Sequence, residues 1–233
     1  MSLPSLNAPS YELVIPSSKK KVKYRPFTVK EEKILLIALE SEDDKQIARA
    51  LTDIIAACVT TKGFNVKNLA TFDIEYMFLN IRGKSVGEII EMYVTCPDDG
   101  ETKVKVELDI EDVNVVFAYG HTNKIKLTDE LWIEMKYPGI EVFSGEGEDI
   151  DDTFKLVASS ISKIYNDEDV WDDTTTSMEE MVHFVEQLSS KQFAEVQKFF
   201  TTMPQLKHTL KLKNPVTEVE FTHVIEGLSN FFA

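Results

Sequence analysis

Cysteine is nearly missing from this chain. Cys58 and Cys96 are the only two among 233 residues. Two thiols cannot build a disulfide framework, so a reducing cytoplasm is the expected setting. Cys58 falls on the apolar face of a helical stretch and Cys96 in a tight loop. Long apolar runs are missing as well. No stretch approaches the roughly 18 apolar residues that a membrane helix needs, and the start of the chain has no apolar leader core. The chain is expected to be made soluble and kept inside the cell, or to reach its destination inside an assembly. Bases are scarce, 25 Lys and Arg against 40 Asp and Glu, for a formal charge of −15. Such a field repels nucleic acid and anionic lipid and attracts a basic patch on a protein partner. The expected partners are therefore proteins, with no nucleic acid and no stable membrane insertion.

Catalytic signatures are also lacking. There is no Gly-x-Gly-x-x-Gly, phosphate loop, nucleophile elbow or His-Glu-x-x-His. The four histidines, at 121, 183, 208 and 223, are scattered. His183 neighbours the apolar face of its helix and is expected to be half-buried packing. Neither an enzyme nor a cofactor is expected.

What is present is a chain long enough for one large or two small cores, with 43% hydrophobic residues. Its charge is unevenly spread. Residues 1–40 hold seven bases against four acids, a net of +3, and residues 141–173 hold two bases against eleven acids, a net of −9. Each run can be a solvated face or a docking surface.

The pattern predicts two strands at 11–15 and 20–25, turned at Pro16–Lys19. Lys21, Lys23 and Arg25 share one face of the second, and Val22 and Tyr24 the other. Pro26 keeps Arg25 out of the helical region. Thr28 and Glu31 then form a capping box for a helix over 29–40. The run Ile34–Leu39 is apolar nearly all round, which implies burial on several sides or cover by a partner. Amphipathic helices follow at 44–60 and 73–82, with Gly83 read as the residue that ends the second. Residues 88–94 and 103–108 read as an antiparallel hairpin, and short strands are expected near 123–127 and 131–136. From 149 a helical stripe carries Phe154, Val157, Ala158, Ile161, Ile164 and Tyr165, then an acidic loop spans 166–173. Ser177 and Glu180 make a second capping box. A further helix stops at Pro204, a strand covers 206–212, 216–221 returns as its partner, and a helical end runs from Val224 to Phe232.

Two motifs suggest metal. Cys96-Pro97-Asp98-Asp99-Gly100 is built like one half of a zinc knuckle, but Asp99 stands where a second thiolate belongs. The corresponding turn, Lys213-Asn214-Pro215-Val216, has no cysteine. Glu148–Asp152 lacks the glycine and glutamate of a calcium loop and reads as an acidic helix start. No metal is expected at either.

The segment Tyr24-Arg25-Pro26-Phe27 with Val29-Lys30-Glu31-Glu32-Lys33-Ile34-Leu35-Leu36 resembles the baseplate-hub assembly chaperone family of T-even-type contractile-tailed bacteriophages. Asn68–Leu79 and Ile81–Gly87 are similar to its third-helix signature. Thr95-Cys96-Pro97 sits where family members often carry a cysteine knuckle, and Gly227–Phe232 is like the family's ending. The resemblance implies a late myovirus protein that binds hub subunits in the host cytoplasm, in a hetero-oligomer, before the tail grows. Departure from the pattern at Asp99 and at 213–216 argues against a structural zinc here.

The expected fold is α+β. An N-terminal hairpin and three-helix layer occupies 1–87, a β-rich insert with the degenerate knuckle 88–145, and C-terminal helices with a knuckle-like terminal hairpin 146–233. The candidate partner-binding residues are Lys21, Lys23, Arg25 and Phe27 at the front and Phe231 and Phe232 at the end. Two other readings stand beside the chaperone. One is a permanent subunit of the hub in the virion baseplate. The other is a hub-associated wall-degrading hydrolase, which needs paired carboxylates at a definite separation.

Overall fold

A computed structural model describes residues 8–140 and 150–227. The described residues form six α-helices and eleven strands, and every sheet is small and antiparallel. The fold class is therefore α+β, as expected. None of these helices is long and apolar enough to cross a membrane. The chain divides into two compact units, one made of the residues up to Val116 together with those from Gln205 onward, the other of Phe117–Pro204.

In the first unit, β1 (Tyr11–Val14) and β2 (Lys21–Tyr24) form a hairpin in which Tyr11 faces Tyr24 and Val14 faces Lys21. Alternation decides its faces: Val22 and Tyr24 are buried, while Lys21 and Lys23 are exposed. Then come α1 (Val29–Glu40), α2 (Asp44–Cys58) and α3 (Thr71–Val86). Asp43 caps α2 by accepting from the N–H groups of Lys45 and Gln46. Its buried stripe is Ala48, Leu51, Ile54, Ile55 and Cys58.

Helix α3 does not stop where Gly83 suggested. It continues to Val86, and Gly87 ends it with φ of +137°. Gly83 serves packing instead, because a Cβ there would lie 3.2 Å from the Ile110 side chain. Strands β3 (Ile89–Thr95) and β4 (Lys103–Asp109) form the expected hairpin. A three-stranded sheet joins β5 (Asn114–Val116), β10 (Gln205–Lys213) and β11 (Glu220–Glu226), with β10 central. Strand β11 starts later than expected, and Val224 pairs with Thr209 on it instead of opening a helix.

The second unit packs α4 (Ile150–Ser159), α5 (Met178–Glu186) and α6 (Ser190–Thr202) with a sheet ordered β6 (Lys124–Lys126), β7 (Trp132–Met135), β8 (Ile161–Tyr165), β9 (Val170–Asp172). The helical stripe read through to Tyr165 breaks at two serines. The Ser159 and Ser160 hydroxyls both donate to the Leu156 carbonyl, at 2.9 and 2.8 Å. Such local bonds compete with helix continuation. Ile161 and Ile164 then enter a strand, where β-branched side chains pack well. The acidic loop shortens in consequence, since Val170–Asp172 is the edge strand.

One polar cluster ties the first unit together. The Arg25 backbone N–H donates to the Cys58 carbonyl at 3.0 Å. Its guanidinium grips Glu31 with two bonds, Nη2 to Oε1 at 2.6 Å and Nη1 to Oε2 at 3.1 Å, and also donates to the Ala57 carbonyl at 3.1 Å. The Glu31 carboxylate further accepts from the N–H and hydroxyl of Thr28 at 2.6 and 2.9 Å, which forms the predicted capping box. Beyond α2, the Thr60 N–H donates to the Lys23 carbonyl at 2.8 Å. Strand, helix start and helix end are thus joined by bidentate, charge-assisted bonds.

The Arg25 bonds above all hold the Glu31 carboxyl down from 4.5 to about 2, with burial opposing and Thr28 assisting. A folded value below the unfolded one means that this carboxylate contributes fully above pH 4.5 and loses its contribution as pH falls toward 2. Glu31→Gln should therefore destabilise the protein at pH 7 by about 2 kcal/mol in urea unfolding. The gap to wild type should close in that acid window. A gap that stays constant with pH contradicts the assignment.

Candidate functional site

The candidate front residues do not share one role. Lys21 and Lys23 stand on the exposed face of β2, where Lys23 Nζ lies 3.5 Å from Glu12. That pair is open to water on both sides, so it leaves both lysines available to a partner. Arg25 is spent on Glu31 and the end of α2, and its guanidinium pKa is raised foremost by the Glu31 hydrogen bond. Phe27 is partly exposed, and its N–H donates to Ser85 Oγ at 2.9 Å. Phe231 and Phe232 lie outside the described residues.

Sequence reasoning left out the residues that stand beside these. Only Leu35 and Ala38 of α1 are buried. Val29, Ile34, Leu36 and Ile37 remain open to solvent, Val29 at 80% and Ile37 at 55%. Val29, Lys33, Leu36 and Ile37 recur at helical spacing on one side. The signal was already in the sequence, an apolar run too complete for one buried face. These side chains leave apolar surface of α1 exposed to solvent.

The two half-knuckle turns meet. Asn214, fully buried at the tip of the β10–β11 hairpin, donates from Nδ2 to both Asp98 oxygens at 3.0 and 3.1 Å and to Asp99 Oδ2 at 3.0 Å. Its Oδ1 accepts from the Val216 N–H at 2.9 Å, which shapes its own turn. Asp98 also accepts from the Thr217 hydroxyl. Asp99 accepts from the Thr102 hydroxyl at 2.6 Å and from the N–H groups of Glu101 and Thr102 at 3.0 Å. Both carboxyls are consequently held below their ordinary carboxylate values. Thr217 is foremost for Asp98 and Thr102 for Asp99, with Asn214 second in each case.

These residues do not fit a structural zinc, which takes four nitrogen or sulfur ligands. Cys96 is the only thiol in the clasp, and burial followed by the Asp99 and Asp98 charges pushes it away from the thiolate form. Among the described residues, no group of three or more His, Cys, Asp or Glu could hold a metal ion. An amide stands between the two turns, and it satisfies two carboxylates as a cation would.

In the second unit the ring nitrogens of His121 lie 2.9 Å from Thr202 Oγ1 and 3.0 Å from Tyr137 Oη. The ring stacks on Tyr137 and leans on Phe199, and burial lowers its pKa. Both nitrogens have hydroxyl partners, so the arrangement is one of packing. His183 departs from expectation: it is exposed, 3.5 Å from Glu186, not half-buried.

A family model described as T4 bacteriophage base plate protein matches residues 8–233. No curated protein and no solved structure matches the chain.

The clasp makes a two-part expectation. Asn214→Ala should lower the thermal midpoint at pH 7, because Asp98 and Asp99 lose their shared donor. The deficit should shrink as pH falls through the ordinary carboxylate range, since both folded values are depressed. A chelator should leave the wild-type midpoint where it is. A chelator-induced fall would show that a metal, not Asn214, joins the turns.

Proposed function

The chain belongs to the T4 bacteriophage base plate protein family, and we propose that within it the protein is a non-enzymatic assembly factor for the baseplate hub. It holds hub subunits in the infected host's cytoplasm during tail morphogenesis. The observation that supports this reading most strongly is α1. Its outward side leaves Val29, Leu36 and Ile37 open, and its start is tied through Glu31 to the strand that carries Lys21 and Lys23. A basic, apolar face on a chain of net charge −15 suits a partner with an acidic rim around an apolar centre. The proposed mechanism is masking. The assembly factor covers hub surfaces that would otherwise associate early, and it leaves when the next subunit competes for them.

A catalytic role is not needed for this reading. The adjacent acids Asp98 and Asp99 are taken up by hydrogen bonds within the clasp. We expect purified protein to leave host cell wall intact in a lytic assay.

Two measurements test the proposal. Tagged protein should co-purify with hub subunits from infected cells, and purified virions should lack stoichiometric amounts of its peptides. Stoichiometric peptides in the virion would establish a permanent subunit instead. The surface is tested by Lys21→Glu with Lys23→Glu, and separately by Leu36→Ser with Ile37→Ser. Each pair should reduce co-purification about tenfold, in line with loss of a binding hot spot, with an unchanged thermal midpoint. Arg25 is kept intact in both because its loss would loosen the fold. Undiminished binding by both double variants sinks the front-face assignment.

A further inference from the structure

The core of the second unit contains a row of side chains that runs straight across its sheet. Ile125 pairs with Ile133, Ile133 with Ile164, and Ile164 with Trp171, one from each of the four strands. The first three are buried, at 7%, 0% and 5% exposure, but Trp171 on the edge strand stands 38% open. Helix α5 lies against the same end of the row. Between them is a groove of about 290 Å³ walled by Leu131, Ile164, Trp171, Met181 and Phe184, with Glu180 at its polar side. That is well above the roughly 150 Å³ that accommodates a benzene molecule in a protein interior.

The chain segment that borders the groove has one sign of charge. Residues 166–180 contain Asp167, Glu168, Asp169, Asp172, Asp173, Glu179 and Glu180 and no base. Some of these acids have local duties. Asp172 accepts from Thr174 and Thr175, Glu180 caps α5 through Ser177, and Asp173 lies 3.8 Å from Lys136. Lys163, the base on β8, is taken by Glu134 at 3.2 Å. Among the described residues Asp167, Glu168, Asp169 and Glu179 have no ion-pair partner. The loop that carries the first three is fixed by Asn166, whose Oδ1 accepts from the N–H groups of Glu168 and Asp169 at 2.9 and 2.6 Å. Val170 and Met178, on either side of the groove in sequence, are exposed too, at 55% and 51%.

We infer that the groove between β9 and α5 is a docking site for a basic segment of a partner protein, which seats one large apolar side chain against Trp171. Charge complementarity decides the occupant. Unpaired carboxylates repel nucleic acid and anionic lipid and steer lysine- and arginine-rich protein surfaces inward. A half-open tryptophan beside methionine and phenylalanine is the composition of an interface centre. Its charge is opposite in sign to that of Lys21 and Lys23 on β2, so it selects a different partner surface. It deepens the assembly-factor reading and rests on it for the partner's identity.

The test uses the full-length protein and a fluorescein-labelled heptapeptide with one phenylalanine flanked by three lysines on each side. Controls replace the phenylalanine by serine or the lysines by glutamates. Fluorescence anisotropy should show binding of the first peptide only, weakening with salt. Trp171→Ala should raise Kd about tenfold. The triple variant Asp167→Asn, Glu168→Gln, Glu179→Gln should raise it about threefold and flatten the salt dependence. Its sites are exposed, so it decides the matter should Trp171→Ala fail to fold. Equal binding of the serine peptide, or indifference to the triple variant, overturns the inference. So does a salt-sensitive dimer of the wild-type chain that Trp171→Ala abolishes, which assigns the groove to a second copy. Co-purification of hub subunits that is untouched by these variants removes the groove's role but leaves the assembly-factor reading standing. Failure of the wild type to co-purify with any hub subunit removes that reading while the peptide result stands by itself.

Discussion

Arg25 leaves the N-terminal hairpin where three elements converge, and its guanidinium reaches the two helices. It grips Glu31 at the start of α1, bonds the end of α2 and takes its place at the end of β2. The side chain is 26% exposed and that of Glu31 13%. A half-desolvated pair of this geometry is costly to break from one side, because the remaining charge stays without its partner. The pair therefore sets the angle at which α1 departs from the hairpin. That angle leaves the Val29, Leu36 and Ile37 side of α1 uncovered while Leu35 and Ala38 are buried. A partner-binding face can exist there because this bridge holds the helix without surrounding it.

Much of the first unit could be read from the sequence, because local rules decide it. Pro26, Thr28 and Glu31 mark the start of α1, apolar spacing gives α2, and alternation gives β3 and β4. The misreadings share a cause in tertiary context. Gly83 has the composition of a helix end, yet Ile110 packed against it explains the glycine, and α3 runs on to Val86. Ile161 and Ile164, three positions apart, fit the helical period and not the alternation of a regular strand; both are buried in β8 where its pairing with β7 shifts register between Glu134 and Met135. Ser159 and Ser160, bonding back to Leu156, together with a sheet that needs a strand between β7 and β9, decide in favour of the strand. The two units could not be foreseen from texture. The first is assembled from chain segments far apart in sequence, brought together by pairing across the β5–β10 sheet and by the Asn214 clasp.

The candidate site was legible in part. Lys21 and Lys23 stand on the exposed face of β2 that alternation indicated. Arg25 belongs to the framework. The turns at 96–100 and 213–216 read as two separate remnants of a metal site. Their true relation is direct, since a buried amide lies between the two aspartates. No spacing rule links residues about 115 positions apart, so this contact could be found only in three dimensions. Trp171 was hidden for a similar reason. It stands in an acidic stretch that reads as loop, and only the register of β9 on β8 places it at the end of a core row.

We propose that this base plate family protein works by presenting two chemically opposite surfaces to its partners, the basic strand β2 with the exposed apolar side of α1 and an acidic apolar groove at β9 and α5. Hydrogen exchange read by mass spectrometry, on the free protein and on the complex recovered from infected cells, tests it most directly. The account predicts new protection on binding in peptides covering residues 19–37 and 167–184, with the hairpin tips at 96–102 and 213–219 unchanged. Protection confined to other segments, or none beyond the free protein, would contradict it.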